Sequence, residues 1–105
     1  MQRGDVYRFK VPLGLGHEQQ GERYGVVVQA DALLPRSVVL VAPTSRSARP
    51  ASIRPVVDIA GDTSRVLVEQ LGAVDVQRLG RRIGRLSAEE LWAVDDAIVA
   101  VLGLD

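Results

Sequence analysis

The sequence predicts a mainly β (α+β) fold: a small, strongly bent antiparallel barrel with one C-terminal amphipathic helix. Two observations carry this. Five to seven short extended runs follow one another, separated by Gly, Pro and polar turn residues, and a single capped helical pattern closes the chain after Ser87. At 105 residues the length suits one domain, 1–105, with a modest core.

The first run, Asp5-Val6-Tyr7-Arg8-Phe9-Lys10-Val11, alternates polar and apolar residues and predicts a half-buried strand. Pro12 through Gly21, with one Pro and three Gly, predicts a loop. Gly25–Ala30 and Ser37–Ala42, rich in β-branched residues, predict two buried strands either side of a turn at Asp31–Arg36 broken by Pro35. Ser45–Ser52 predicts an exposed loop, and Ile53–Ile59 a return to extended structure before a Gly61-Asp62 turn. Val66–Glu69 and Arg81–Leu86 predict the remaining strands, the latter with its basic residues outward.

Ser87 with Glu90 three residues on has the spacing of a capping box, in which each side chain satisfies the other's backbone amide. Leu91, Val94, Ile98, Val101 and Leu102 recur at helical spacing and predict the face that packs on the barrel, with Gly103 as terminator. Trp92 lies next to that stripe, which predicts partial burial against the core rather than base stacking.

Net charge is zero, which on its own argues against a nucleic-acid binder, yet its distribution is uneven. Residues 1–85 hold all 13 Lys and Arg, 12 of them Arg, against eight acids; residues 86–105 hold five acids and no base. Cysteine is absent, which excludes a disulfide framework and a thiolate metal site. No leader pattern opens the chain and no apolar run approaches the roughly 20 residues of a membrane helix, so a cytoplasmic location with no membrane partner is expected.

Two polar clusters stand out from this scaffold. Gly14-Leu15-Gly16-His17-Glu18-Gln19-Gln20-Gly21-Glu22-Arg23 brings an imidazole, a carboxylate and a guanidinium into a glycine-punctuated loop. Pro43-Thr44-Ser45 places two hydroxyls at the end of an apolar run. A guanidinium fork, adjacent hydroxyls and a carboxylate suffice to hold a phosphodiester without a metal or other cofactor. A dinucleotide-binding reading of Gly14-x-Gly16 fails, because no helix follows it.

In these elements the chain resembles the MazF/PemK/Kid family of toxin endoribonucleases from type II toxin–antitoxin pairs. Arg3-Gly4-Asp5-Val6-Tyr7 is similar to the family's opening strand. Gly16-x-Glu18-x-x-x-x-Arg23 with Val26–Asp31 is similar to its loop and second strand, and Val41-Ala42-Pro43-Thr44-Ser45 to its PxTS element. Val68-Glu69-Gln70 and the stretch Arg78–Ser87 complete the order. Departures are Tyr24-Gly25, where many members have Pro after the Arg, and Gly72, where many have a basic residue.

The resemblance implies an SH3-like barrel, a homodimer, and an mRNA interferase. Such an enzyme cuts single-stranded RNA at a short sequence without metal, leaving a cyclic phosphate and a 5′-hydroxyl. It maps Arg23 and Thr44 onto the main catalytic pair and Glu18 onto a carboxylate used by some members. Since an arginine side chain holds its proton at ordinary pH, Arg23 suits a charge clamp, with Thr44 and Ser45 as hydroxyl donors. Either Glu18 or His17 can accept the 2′-hydroxyl proton. Gly16, His17, Ser45, Arg46, Arg49 and Gln70 are the expected RNA contacts, Arg46 and Arg49 compensating for Gly72. The implied partner is an antitoxin whose acidic, disordered C-terminal tail covers the basic groove, the complex in turn binding DNA. Two alternatives share the fold: a CcdB-like gyrase poison, which relies on apolar and aromatic residues near its C-terminal end, and a catalytically inactive binding module.

Overall fold

A computed structural model describes residues 1–11 and 21–104. Seven strands form one antiparallel system: β1 (Asp5–Val11), β2 (Gly21–Val27), β3 (Val38–Ser45), β4 (Val56–Ile59), β5 (Asp62–Val66), β6 (Gly72–Asp75) and β7 (Leu79–Arg85). Helix α1 (Ala88–Leu102) follows. The spatial order is β4-β5-β3-β2-β1-β7, with β6 also paired to β3. This bent β sheet with a terminal helix agrees with the expected fold class.

β3 organises the bend. Val38–Val41 pair with β6, Val41–Pro43 with β2, and Thr44–Ser45 with β5. Pro43 has no N–H to give a neighbour, but its carbonyl accepts from Leu67 at 2.8 Å, so the strand changes partner there. The strand is therefore longer than the expected Ser37–Ala42. Val38 and Leu40 are exposed while Val39 and Val41 are fully buried, and everything from Val41 to Ser45 is inside. It is thus one-sided at its start and two-sided only at its end.

The core lies in two clusters. The larger joins Val6, Val26, Val57, Ile59, Val66 and Val68 to Val94 and Ala97 of the helix. The smaller, Val39, Val41 and Val74, packs with Leu34, Val76 and Leu79.

β1 occupies the range expected of it. β2 begins at Gly21 and ends at Val27, earlier than the expected Gly25–Ala30. The expected Pro12–Gly21 loop lies outside the described residues except for Gly21. Val66–Glu69 is not one strand: β5 ends at Val66, and Val68–Gln70 form a 3₁₀ turn closed by Gln70 N–H donating to Leu67 C=O at 2.9 Å. The apolar run continued because both segments are buried, not because both are extended. β6 and a further 3₁₀ turn at Val76–Arg78 went unread.

The helix keeps its cap. Ser87 Oγ accepts from Glu90 N at 3.1 Å, and Glu90 Oε1 accepts from Ser87 N at 2.8 Å. Gly103 ends it at φ 68, the left-handed conformation that favours glycine. Trp92, however, is 63% exposed. Leu91, Val94, Ala97, Ile98 and Val101 face the sheet, and at roughly 100° per residue Trp92 falls almost opposite the centre of that stripe. Leu102 sits at its rim and is also exposed. Among the described residues no helix is long and apolar enough to cross a membrane.

Candidate functional site

The end of β3, the middle of β2, the middle of β1 and the start of β5 converge on one pocket of about 190 Å³. It is lined by Arg8, Arg23, Tyr24, Thr44, Ser45, Arg46, Asp62 and Ser64. Register explains the convergence. Arg8 stands opposite Tyr24 across β1 and β2, Gly25 opposite Pro43 across β2 and β3, and Ser45 opposite Arg65 across β3 and β5.

Arg23 contributes a buried guanidinium Nε that finds no hydrogen-bond partner among the described residues. A buried donor left unsatisfied costs about 1–3 kcal/mol, more for a charged group, so its place in a pocket calls for an incoming acceptor. Thr44 and Ser45 are 3% and 5% exposed. The Thr44 hydroxyl donates to the Tyr24 carbonyl at 3.2 Å. Ser45 Oγ accepts from Ser47 N at 3.2 Å and lies 3.4 Å from the Ser47 hydroxyl. The amide contact fixes the Ser45 oxygen, whose proton can go to the Ser47 hydroxyl or to a ligand.

Among the described residues, three guanidiniums and one carboxylate line the pocket. Arg46 Nη1 stands 3.5 Å from Asp62 Oδ2, both side chains well exposed. Much of the arginine excess elsewhere is committed to structure. Arg3 Nη2 meets Asp95 at 2.7 Å, and Arg82 and Arg85 converge on buried Asp5 at 3.2 and 3.1 Å. Arg54 grips Glu69 Oε2 through Nε at 2.9 Å and Nη2 at 2.7 Å, while its Nη1 donates to Arg49 C=O at 3.1 Å. That network ties the loop after β3 to the 3₁₀ turn before β6.

Of the expected site residues, Arg23, Thr44, Ser45 and Arg46 are brought together. Gly16, His17 and Glu18 lie outside the described residues. Arg49 and Gln70 are exposed but do not line the pocket. Arg8, Asp62 and Ser64 were missed, although the Gly61-Asp62 turn signal placed a carboxylate and a hydroxyl just before a strand. The Tyr24 departure bears on the site through its carbonyl, which holds Thr44. At Gly72 an added Cβ meets nothing within 4 Å among the described residues, so the backbone leaves room for a Cβ there. No group of three or more His, Asp or Glu among the described residues is placed to hold a metal ion.

A bent antiparallel sheet with a terminal helix and a cationic, hydroxyl-lined pocket defines a class of small β proteins. Comparison narrows the class. The family model for the PemK-like, MazF-like toxin of type II toxin–antitoxin systems matches residues 2–102. A Mycobacterium tuberculosis protein that bears a provisional toxin name is 40% identical over 106 residues, covering 97% of each chain. The MazF structure from Deinococcus radiodurans superposes with TM-score 0.86 at 20% identity, over 98% of this chain and 96% of that one. A mycobacterial endoribonuclease solved in complex with its cognate antitoxin superposes at 0.81 with 18% identity, over 100% of this chain and 97% of that one. The chain belongs to the PemK/MazF toxin family of type II toxin–antitoxin systems.

Proposed function

We propose that this toxin is a sequence-specific endoribonuclease that cleaves single-stranded RNA without a metal ion. The observation that carries the reading is the buried Arg23 Nε, without a hydrogen-bond partner among the described residues, in the pocket that Thr44 and Ser45 also line. RNA holds its own nucleophile. The 2′-oxygen attacks the adjacent phosphorus, the bond to the 5′-oxygen breaks, and the products are a 2′,3′-cyclic phosphate and a free 5′-hydroxyl. The protein's task is to align these atoms and neutralise charge on the non-bridging oxygens. Arg23 clamps one such oxygen through Nε, and Ser45 donates to the phosphate. Thr44 joins by turning its hydroxyl from Tyr24 C=O to the ligand. Glu18 or His17 takes the 2′-hydroxyl proton, the departing 5′-oxygen takes a proton from water, and Arg46, Arg49, Gly16 and Gln70 lie along the RNA.

The protein works as a homodimer in the cytoplasm, and its cognate antitoxin covers the pocket with an acidic disordered tail. The arginines at the pocket, Arg23 and Arg46 among them, are the surface such a tail fits. Incubation with a long single-stranded RNA in EDTA, with 5′-end mapping, tests the reading. Discrete cuts at a short motif, lost in Arg23→Ala and Thr44→Ala, are expected. Intact RNA from the folded protein overturns it.

One observation favours a second reading. Trp92, Leu102 and Leu104 are all more than half exposed near the C-terminal end, the kind of surface a CcdB-like gyrase poison uses. Toxicity undiminished in Arg23→Ala and lost in Trp92→Ala selects that reading.

A further inference from the structure

We propose that Asp62 is the base-reading residue of the pocket, selecting guanine by accepting from its Watson–Crick edge. The inference rests on the RNA-cleaving reading of the same site and names what that site selects.

Asp62 is the one acid among the described residues lining a pocket of three arginines. A carboxylate there works against phosphate binding. Its structural return is small: the Arg46 pair is long at 3.5 Å, with side chains 73% and 56% exposed, and such pairs stabilise a fold little. Asp62 opens β5 directly after the Ala60–Gly61 turn, paired with Ile59, so its backbone is fixed while its carboxylate stays open to a ligand.

A carboxylate is an acceptor only, with two oxygens side by side. Unstacked RNA bases are read on their Watson–Crick edges. Guanine presents two adjacent N–H groups there, N1–H and N2–H, matching both oxygens. Cytosine and adenine each present one amino group, and uracil flanks its single N3–H with two carbonyls that a carboxylate repels. Guanine is thus preferred and uracil rejected. Arg46, released when the base takes Asp62, becomes available to a phosphate oxygen, so the incoming nucleotide satisfies both members of the pair.

The test measures binding and cleavage separately. Fluorescence anisotropy uses short 2′-O-methyl oligouridylates carrying one central G, A, C or U, which cannot be cleaved because the nucleophile is blocked. The wild type is expected to bind the G oligonucleotide about 10-fold or more tighter than the all-U one, the discrimination of a good bidentate base contact. In Asp62→Asn, which can both donate and accept, that preference collapses, and the thermal midpoint stays that of the wild type. Cut-site mapping on unmodified RNA is expected to show a guanine in the wild-type motif and a relaxed position in Asp62→Asn. Equal affinities for all four oligonucleotides, or an unchanged motif with only a uniform rate change, overturn the assignment. Guanine-selective binding without cleavage supports Asp62 while overturning the nuclease reading.

Discussion

The Thr44 hydroxyl donates to the backbone carbonyl of Tyr24 at 3.2 Å, tying the end of β3 to β2 at the pocket. The bond fixes the oxygen at the pocket, which Thr44 and Tyr24 both line. It also makes the hydroxyl both structural and functional, and the two roles separate by substitution.

Thr44→Ser keeps the donor and is expected to retain most RNA cleavage. Thr44→Val keeps the shape and removes the hydroxyl's bond to Tyr24 C=O. It is expected to lose cleavage by about 10²–10³-fold, the usual cost of one transition-state donor, and stability by about 0.5–1.5 kcal/mol, the net contribution of one hydrogen bond. Single-turnover kinetics and urea denaturation read the two effects. Full activity in Thr44→Val would remove the hydroxyl from the mechanism.

How far the sequence carried the site depends on whether its residues are local. Thr44 and Ser45 were legible because they are adjacent at the end of an apolar run, and Arg23 because it follows a glycine-rich loop. Arg8, Asp62 and Ser64 reach the same pocket from β1 and β5 through pairings that no local pattern records. The same limit explains the strands. Seven alternating residues made β1 readable, whereas the apolar run at Val66–Glu69 hid the change from strand to 3₁₀ turn, because burial silences the period that distinguishes them. Helix α1 was read to its caps because capping chemistry is local.

The β4–β5 turn carries a local conflict. Ala60 adopts φ 53 and Gly61 φ 87, with Ile59 paired to Asp62, the geometry of a two-residue hairpin turn needing positive φ at both central positions. Alanine pays about 1–2 kcal/mol for the left-handed region, and asparagine less. Ala60 is exposed, so Ala60→Asn is expected to stabilise by about 0.5–1 kcal/mol, or ~2–6 °C in midpoint, measured by thermal melting. A lower midpoint would mean the turn is not strained.

Glu90 carries two tasks through its two oxygens. Oε1 completes the capping box with Ser87 N, and Oε2 accepts from Asp58 N of β4 at 2.7 Å. Glu90→Ala therefore removes a helix cap and an anchor of the sheet edge together. A loss of about 1–2 kcal/mol is expected in urea denaturation. Ser87→Ala, which removes only the reciprocal cap bond, should cost less. Equal losses would show that the β4 contact contributes nothing.

Asp5 makes the stability of the fold depend on pH in acid. Burial pushes its pKa up, but the Gln2 backbone N–H at 2.8 Å and the Arg82 guanidinium, with Arg85 behind them, outweigh that and hold it below the ordinary 3.8. Asp5 thus stays ionised in the folded protein at pH values where the unfolded chain protonates it. Its stabilisation is fully present above the unfolded value near 3.8 and is lost as pH falls through the lower folded value. Because Arg82 and Arg85 are 51% and 41% exposed, solvent screening keeps the contribution modest. Asp5→Asn is expected to cost about 1–2 kcal/mol at pH 7. The gap between wild type and Asp5→Asn should stay constant from pH 7 to about 5 and close as pH falls below 3.8 and through the lower folded value, where the wild type loses the charge the variant never had. Urea denaturation across that range measures it, and a gap independent of pH would show that packing, rather than the carboxylate's charge, is what Asp5 supplies.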